Sequence, residues 1–170
     1  METFEAETLV TRPNWASRLV EVLQPVSVRA DRLAAMDVFS GLTRGELEFA
    51  AGILRETLIE RGKRMTVQAQ SAPYVWLLIE GKALVSADAR PIRVVGYGDF
   101  VGLVGMRYSI ASPETTIALS PIRAFEVDRK GFAQLHAKAR IRKRLAAAEA
   151  TLGAWSRRSF PAKLRGSAPG

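Results

Sequence analysis

The chain has 170 residues and no cysteine, and His136 is its single histidine. These counts exclude disulfides, thiolate metal sites and most histidine-based metal centres and catalytic triads. The formal net charge is +8, but residues 1–137 hold equal numbers of basic and acidic residues, so the whole excess lies in residues 138–170. No apolar run approaches the roughly 18 residues that span a bilayer, and the acidic start METFEAE does not resemble a signal peptide, so we expect a cytoplasmic protein without membrane insertion.

Helices are predicted in the first third of the chain. Residues 11–25 form an amphipathic pattern with Pro13 near its start and an apolar stripe that begins at Trp15. A second helical segment covers residues 28–36. A third follows Thr43, because Thr43 and Glu46 have the spacing of a capping box ahead of apolar residues at helical period.

Strands are predicted from residue 56 onward. Short apolar or alternating runs are separated by turn sequences such as RGK, QSAP, EGK and DARP. Seven closely spaced strands of this kind favour an antiparallel β-roll or jelly roll, in a chain that is mainly β with flanking α. The predicted strands are residues 56–60, 64–68, 74–80, 83–87, 92–98, 115–119 and 123–127.

A long basic helix is predicted after the strands. Its apolar residues recur at alternating steps of four and three, which is a heptad seam of about two repeats. The seam consists of Ile141, Leu145, Ala148, Leu152 and Trp155. A basic patch flanks it, formed by Arg140, Arg142, Lys143, Arg144, Arg157 and Arg158. Four regions follow from the whole pattern: an N-terminal helical extension (1–36), a β-roll (37–136), this helix (137–157) and a flexible tail (158–170).

Four stretches follow one another in the chain, namely VFSGLTRGELEFAAGIL, ERGKRMTVQAQSAPYVWLLIEGKALV, VVGYGDFVG and RAFEVDRKGFAQL. In this order they resemble the cyclic-nucleotide-binding domain of catabolite-activator-type regulators. The same domain occurs in protein-kinase regulatory subunits and gated channels. The resemblance covers about residues 37–136. It implies a β-roll whose glycine-rich turn leads into a short helix, where backbone N–H groups hold the cyclic phosphate.

The resemblance also implies two ligand-binding side chains that this chain lacks. A Glu after the second glycine of the motif binds the ribose, and here that position is Leu103. An Arg in the following strand neutralises the phosphate, and here that position is Pro113, with Glu114 beside it. Asp99 is expected to order the turn. We therefore predict a degenerate ligand pocket consisting of Gly98, Asp99, Phe100, Gly102, Leu103, Val104, Pro113, Glu114 and Thr115.

The function we expect is that of a non-catalytic regulatory or scaffold module. Glu56, Glu60 and Glu80 are carboxylates without an evident partner, so neither an enzyme nor a metal site is expected. No cofactor is expected, although a cyclic nucleotide or another small molecule in the roll is the first alternative. The residues after Trp155 are too few for the helix-turn-helix module of the related transcription regulators, so a sequence-specific DNA-binding role is not expected.

Three accounts of the C-terminal helix remain open at this stage. In the family that the chain resembles, the corresponding helix forms a dimer coiled coil, which predicts self-association or binding of a protein partner. The seam can instead pack onto the chain's own roll as a lid over the pocket. The basic patch can contact an acidic protein surface or nucleic acid.

Overall fold

The N-terminal part of the structure is helical. The computed structural model describes residues 24–159, with the side chains of residues 24–151. Helix α1 (Val26–Ala34), a 3-10 turn (Asp37–Phe39) and helix α2 (Arg44–Ile53) come first. The predicted capping box begins α2, with the Thr43 N–H donating to Glu46 Oε2 at 2.7 Å and the Glu46 N–H donating to Thr43 Oγ1 at 3.3 Å. Trp15 and most of the first predicted helix lie outside the described residues.

The strands form two antiparallel four-stranded sheets. The first sheet has the order β1-β8-β3-β6, and the second has the order β2-β7-β4-β5. All seven predicted strands are present, and the additional strand is the two-residue β6, which pairs with Trp76 and Leu77. The β-rich class with flanking helices is therefore confirmed. The strands are β1 (Arg55–Ile59), β2 (Arg64–Thr66), β3 (Tyr74–Glu80), β4 (Ala83–Ala87), β5 (Arg90–Val95), β6 (Phe100–Val101), β7 (Thr115–Ala118) and β8 (Ile122–Asp128).

The first sheet is covered on both faces, which explains the nearly continuous apolar run of β3. Val75 and Leu77 pack in one core with apolar residues of α1, α2 and the C-terminal helices. Trp76 and Leu78 belong to a second core, which lies between the two sheets and includes Ile122. A strand buried on both faces reads as a continuous apolar run because neither set of alternate side chains reaches water.

Three helices accompany the second half of the chain. Helix α3 (Leu103–Tyr108) lies between β6 and β7, and α4 (Arg129–Ala137) and α5 (Ala139–Ser159) follow β8. Ile141 is completely buried, and Leu145 is 3% exposed in the core that also contains residues of α1 and α2. The beginning of α5 is thereby anchored to the body of the domain. Within residues 24–159, no helix is long and apolar enough to cross a membrane.

Candidate functional site

The glycine-rich turn is closed by Asp99. The Asp99 carboxylate accepts a hydrogen bond from the Gly96 N–H at 2.9 Å. The Leu78 N–H donates to the Asp99 carbonyl at 3.0 Å, and the Gly98 N–H donates to the Leu78 carbonyl at 2.9 Å. Gly98 has a φ of 82°, which glycine adopts without the steric cost of a Cβ. Asp99 thus organises the turn between β5 and β6 and is engaged within it.

Helix α3 begins at a position that requires glycine. Gly102 precedes the helix with a φ of 82°. A Cβ at this position would lie 2.8 Å from the Tyr74 carbonyl oxygen, which is backbone and cannot move away independently. The close approach of β3 to this turn therefore depends on Gly102.

The turn, α3 and the loop before β7 enclose a small space that we call the cassette cavity. Its volume is only about 20 Å³. That space holds little more than one water molecule. The lining residues are Thr66, Arg93, Phe100, Gly102, Leu103, Val104, Gly105, Ser112, Pro113, Glu114 and Thr116.

Most of the predicted pocket residues line this cavity, and three do not. Gly98 and Asp99 line a separate surface groove together with Arg144 of α5. The Thr115 hydroxyl accepts a hydrogen bond from the Gln68 N–H at 2.9 Å. Leu103 is 1% exposed and belongs to the core that also contains Met106. The position that the resemblance assigns to a ribose-binding Glu is thus filled by a core side chain.

An internal ion pair lines the cassette cavity. The two guanidinium nitrogens of Arg93 on β5 lie 2.9 Å and 3.1 Å from the two carboxylate oxygens of Glu114. Each side chain is only 14% exposed. This paired geometry is the strong, charge-assisted type. The negative charge beside Arg93 is therefore supplied by the chain itself.

Sequence reasoning missed Arg93. The resemblance directs attention to the strand after the glycine turn, whereas Arg93 comes from the strand before it. No local signal distinguished it, since an arginine flanked by apolar residues in a strand such as PIRVV is also typical of a solvent-facing position. The sequence alone could not pair it with Glu114, because that contact depends on the register of the second sheet.

Part of the predicted basic patch faces the domain itself. Arg144 donates to the Val38 carbonyl at 3.1 Å and also contacts Asp37 and Ser40. Arg140 lies 3.3 Å from the Glu46 carboxylate. These two side chains hold α5 against the helical segment before the roll.

The remaining residues of the basic patch and of the apolar seam differ in how far they are buried. Arg142 is exposed and donates to the His136 carbonyl at 3.2 Å, and Lys143 is exposed. Ala148 is partly buried against the same core as Ile141 and Leu145. Arg157, Arg158, Leu152 and Trp155 belong to α5, but their side chains lie outside the described part of the chain.

A second set of contacts joins α5 to α3. Glu149 of α5 forms an ion pair with Arg107 of α3. The Tyr108 hydroxyl also donates to Glu149, and this hydrogen bond is the main cause that raises the pKa of Tyr108. His136 lies near Arg107, and burial followed by the charges of Arg107 and Arg142 lowers its pKa. Among the described contacts, Glu149 is therefore the direct link between α5 and α3.

Two cavities of about 300 Å³ each are lined in part by Tyr74 and Glu126, and we call them together the Glu126 cleft. Burial is the main cause that raises the pKa of Glu126, and its interactions with Trp76 and with the charge of Arg55 oppose it. The cleft shares no lining residue with the cassette cavity. Sequence analysis did not single out any residue of this cleft as part of a site.

The structure offers no metal site in its described part. Among the residues described, no three His, Asp or Glu side chains are grouped so as to hold a metal ion. Glu56 and Glu80, which have no evident partner in the sequence, both contact Arg123. Glu56 also lies 2.8 Å from Arg32 of α1. These carboxylates therefore take part in structural ion pairs.

Comparison with solved structures gives many matches to cyclic-nucleotide-binding domains. A mutant of a cAMP-binding acyltransferase from Mycobacterium smegmatis is 27% identical with a TM-score of 0.58, covering 71% of this chain and 39% of that one. The regulatory domain of Toxoplasma gondii protein kinase A with cAMP is 17% identical with a TM-score of 0.65, covering 74% of this chain and 50% of that one. A cyclic-nucleotide-binding protein from Geobacter metallireducens is 19% identical with a TM-score of 0.62, covering 72% of this chain and 96% of that one.

The sequence comparisons give no match. No protein-family model matches the sequence, and no curated protein matches it significantly. The first two structural neighbours are longer proteins, of which this chain covers half or less. The two sheets, the flanking helices and these structural matches together show that the chain has the cyclic-nucleotide-binding-like β-roll fold.

Proposed function

We propose that this chain is a non-catalytic regulatory or scaffold module that does not bind cAMP or cGMP and that acts by binding protein. The observation that carries this proposal is the Arg93–Glu114 pair in a cassette cavity of about 20 Å³. Small-molecule pockets usually have about 300 to 1,000 Å³. A nucleotide would have to displace Glu114 and open the cavity before it could enter.

The charges of the cavity support the same conclusion. A cyclic phosphate needs a cation that is available to it, and the Arg93 guanidinium is already neutralised by a bidentate carboxylate. Breaking a desolvated pair of this kind typically costs about 2 to 5 kcal/mol. Leu103 offers no hydrogen bond to a ribose hydroxyl, and an unsatisfied polar group costs about 1 to 3 kcal/mol more. These costs together are enough to turn a micromolar affinity into a millimolar one.

The fixed position of α5 supports a role without a ligand. Ile141 and Leu145 are buried, and Arg107 and Glu149 join α5 to α3. These contacts are all made by the chain's own residues. A scaffold needs helical surfaces in a constant arrangement, and these contacts supply one.

The test is calorimetry of the full 170-residue chain with cAMP and with cGMP. We expect dissociation constants weaker than about 1 mM for both. A matched variant restores the family's Glu and Arg with Leu103→Glu and Pro113→Arg and removes the competing carboxylate with Glu114→Ala, and it should gain measurable affinity if circular dichroism shows that it folds. A dissociation constant below about 10 μM for the unmodified chain would contradict the proposal.

The binding of protein is tested separately. The seam continues beyond Ala148 to Leu152 and Trp155, so self-association through α5 predicts a dimer by light scattering that becomes a monomer in Trp155→Ala. A monomeric chain would leave a different protein as the partner, to be identified by what co-purifies with the native protein. A cytoplasmic location stays a prediction, and so do the four region boundaries.

Nucleic-acid binding through the basic patch is disfavoured. Arg140 and Arg144 are engaged with the chain's own Glu46 and Val38, so fewer cations are available to phosphates. Binding to DNA or RNA that decreases with salt and is lost on deletion of residues 138–170 would reverse this ranking.

A further inference from the structure

The Glu126 cleft is the best-formed candidate for a ligand site outside the cassette. Its two cavities, each of about 300 Å³, are both lined by Tyr74 and Glu126. Their size falls within the range of small-molecule sites, whereas the cassette cavity does not. The cleft also contains the combination of an aromatic pair with a half-buried carboxylate, which the cassette cavity lacks.

Sheet register brings the central residues of the cleft together. Glu126 on β8 lies directly opposite Trp76 on one neighbouring strand and directly opposite Arg55 on the other. Residues that are directly opposite in an antiparallel pair project from the same face of the sheet. The Tyr74 and Trp76 rings lie 5.8 Å apart at an angle of 60°. The carboxylate and two aromatic rings therefore share one end of the first sheet.

Glu126 is the half-buried charge of the cleft. Tyr74 is 38% exposed. The other ionisable residues of the lining are exposed as well, namely Arg55, Glu60, Lys63, Arg64, Asp128 and Lys130. Charges in contact with water are screened within about 8 Å at physiological ionic strength, whereas half-buried charges are screened less. Among the charges that line the cleft, that of Glu126 is therefore the least screened.

The Glu126 carboxylate has further capacity to accept hydrogen bonds. Trp76 and the charge of Arg55 both favour its charged form. A carboxylate offers about four acceptor positions. Burial disfavours the charged form of this group, and a cation placed beside it would favour that form again.

We propose that the Glu126 cleft binds an organic cation, namely an ammonium group on an apolar stem. The carboxylate would neutralise the ammonium, and the exposed Tyr74 ring, together with the small exposed part of Trp76, would contact the stem and the face of the cation. Aromatic faces attract cations, and the attraction grows as water is removed. This site is independent of the cassette cavity, so its failure and the failure of the proposed function would be seen in different experiments.

The ammonium group has two natural sources. One is a free small organic cation, and the other is a lysine side chain presented by a bound protein. The chemistry at Glu126 is the same in both cases, so the test uses one probe for each source. Tetramethylammonium represents the free cation, and N-acetyl-lysine N-methylamide represents the side chain.

The experiment is a nuclear magnetic resonance titration of the full chain that follows the Trp76 indole N–H. Its signal is assigned with Trp15→Phe and Trp155→Phe variants. We expect at least one of the two cationic probes to shift the signal saturably, with a dissociation constant of about 1 mM or tighter. The neutral counterparts, tert-butanol and N-acetyl-norleucine N-methylamide, should bind at least tenfold more weakly. The tighter of the two cationic probes then identifies the source.

Matched variants decide whether Glu126 is responsible. Glu126→Gln keeps the shape of the side chain and should weaken binding of the cationic probe at least tenfold. Glu60→Gln removes an exposed carboxylate from the same lining and should leave binding within twofold. The proposal is overturned if neither cationic probe shifts the signal saturably up to about 50 mM, if the neutral counterparts bind equally well, or if Glu126→Gln binds like the unmodified chain.

Discussion

The cassette cavity and the Glu126 cleft both place a glutamate near an arginine, but the two pairs differ. Glu114 makes two contacts with Arg93, and the space around them is about 20 Å³. Glu126 lies opposite an exposed Arg55 and lines two cavities of about 300 Å³ each. The difference teaches that a charged residue in a cavity indicates a ligand only when the chain itself has not already neutralised it.

The largest expected effect on stability comes from the backbone at Gly102, which lines the cassette cavity. Gly102→Ala should lower the free energy of unfolding by about 3 kcal/mol, because it combines a strained positive φ with a Cβ that would lie 2.8 Å from a backbone oxygen. Urea denaturation followed by circular dichroism measures the change.

Two other glycines serve as controls for that substitution. Gly131→Ala, in the lining of the Glu126 cleft, would bring a Cβ to 2.7 Å and 2.8 Å from methyl groups of Val127 and Ile53, but Gly131 has no positive φ and no backbone atom is as close, so the change should cost less than Gly102→Ala. Gly52→Ala, in α2 with no atom nearby, should stabilise the protein by about 0.5 to 1 kcal/mol. A loss at Gly102 no larger than that at Gly131 would show that the cassette backbone is not closely packed.

The next effect concerns the ion pair of the cassette. Glu114→Ala should lower the free energy of unfolding by about 2 to 4 kcal/mol, because it leaves the Arg93 guanidinium largely buried without its carboxylate. The same variant should acquire a thermal stabilisation by inorganic phosphate that the unmodified chain does not show, since an anion can then replace the carboxylate.

A surface pair provides the comparison for Glu114. Glu48 lies 2.8 Å from Arg44, and its side chain is 46% exposed. Glu48→Ala should therefore change stability by less than about 0.5 kcal/mol. If Glu114→Ala were as mild as this control, the cassette pair would be solvated and the cavity would be accessible to anions.

A smaller effect on stability is expected at the contact between α3 and α5. Glu149→Gln removes the charge that pairs with Arg107, and it should cost about 1 kcal/mol. Amide hydrogen exchange should become faster in α3 and around residue 149. The pKa of Tyr108 should fall toward its ordinary value, because Glu149 is what raises it. Lys143→Gln, an exposed change on the same helix, should leave the stability, the amide exchange and the pKa of Tyr108 unchanged.

The smallest effect belongs to the Glu126 cleft. The pKa of Glu126 is higher in the folded protein than in the unfolded chain, so the folded protein binds the proton of the Glu126 carboxyl group more tightly. The contribution of Glu126 to stability therefore falls as pH rises. Glu126→Gln should therefore be more stable than the unmodified chain at pH 7, by under about 1 kcal/mol. The difference should shrink as the pH falls through the raised pKa toward the ordinary glutamate value, about 4.3.

Thermal unfolding of both chains between pH 4 and pH 7 measures this difference. Glu60→Gln should show a smaller and less pH-dependent change, because Glu60 is exposed. A destabilised Glu126→Gln at pH 7 would mean that the charged form of Glu126 is favoured by the fold.

The fold was largely predictable from local patterns. The capping box at Thr43, the alternation within the strands and the turn sequences between them each act over a few residues, and the structure confirms them. Strand β6 was not predicted as a separate element, because two residues are too few to show alternation. Its existence depends on pairing with Trp76 and Leu77 of β3.

The candidate sites were less predictable because they depend on contacts between distant residues. The candidate position of Leu103 followed from the glycine motif and that of Pro113 from alignment of the following strand, and both residues line one cavity. Arg93 and Glu126 gave no local signal of their partners. Their surroundings are set by how the sheets pair and where the roll is left open, and no single stretch of sequence contains that information.

The Asp99 turn has a consequence for how such sequences are interpreted. Asp99 and the glycines around it serve the chain reversal between β5 and β6, through hydrogen bonds that involve Gly96 and Leu78. These contacts are made entirely within the chain, so the motif serves the shape of the turn in its own right. On the proposed function, a search that relied on this motif would detect the architecture without identifying which members respond to a second messenger. Positions 103, 113 and 114 are the ones that we then expect to separate receptors from domains that keep only the shape.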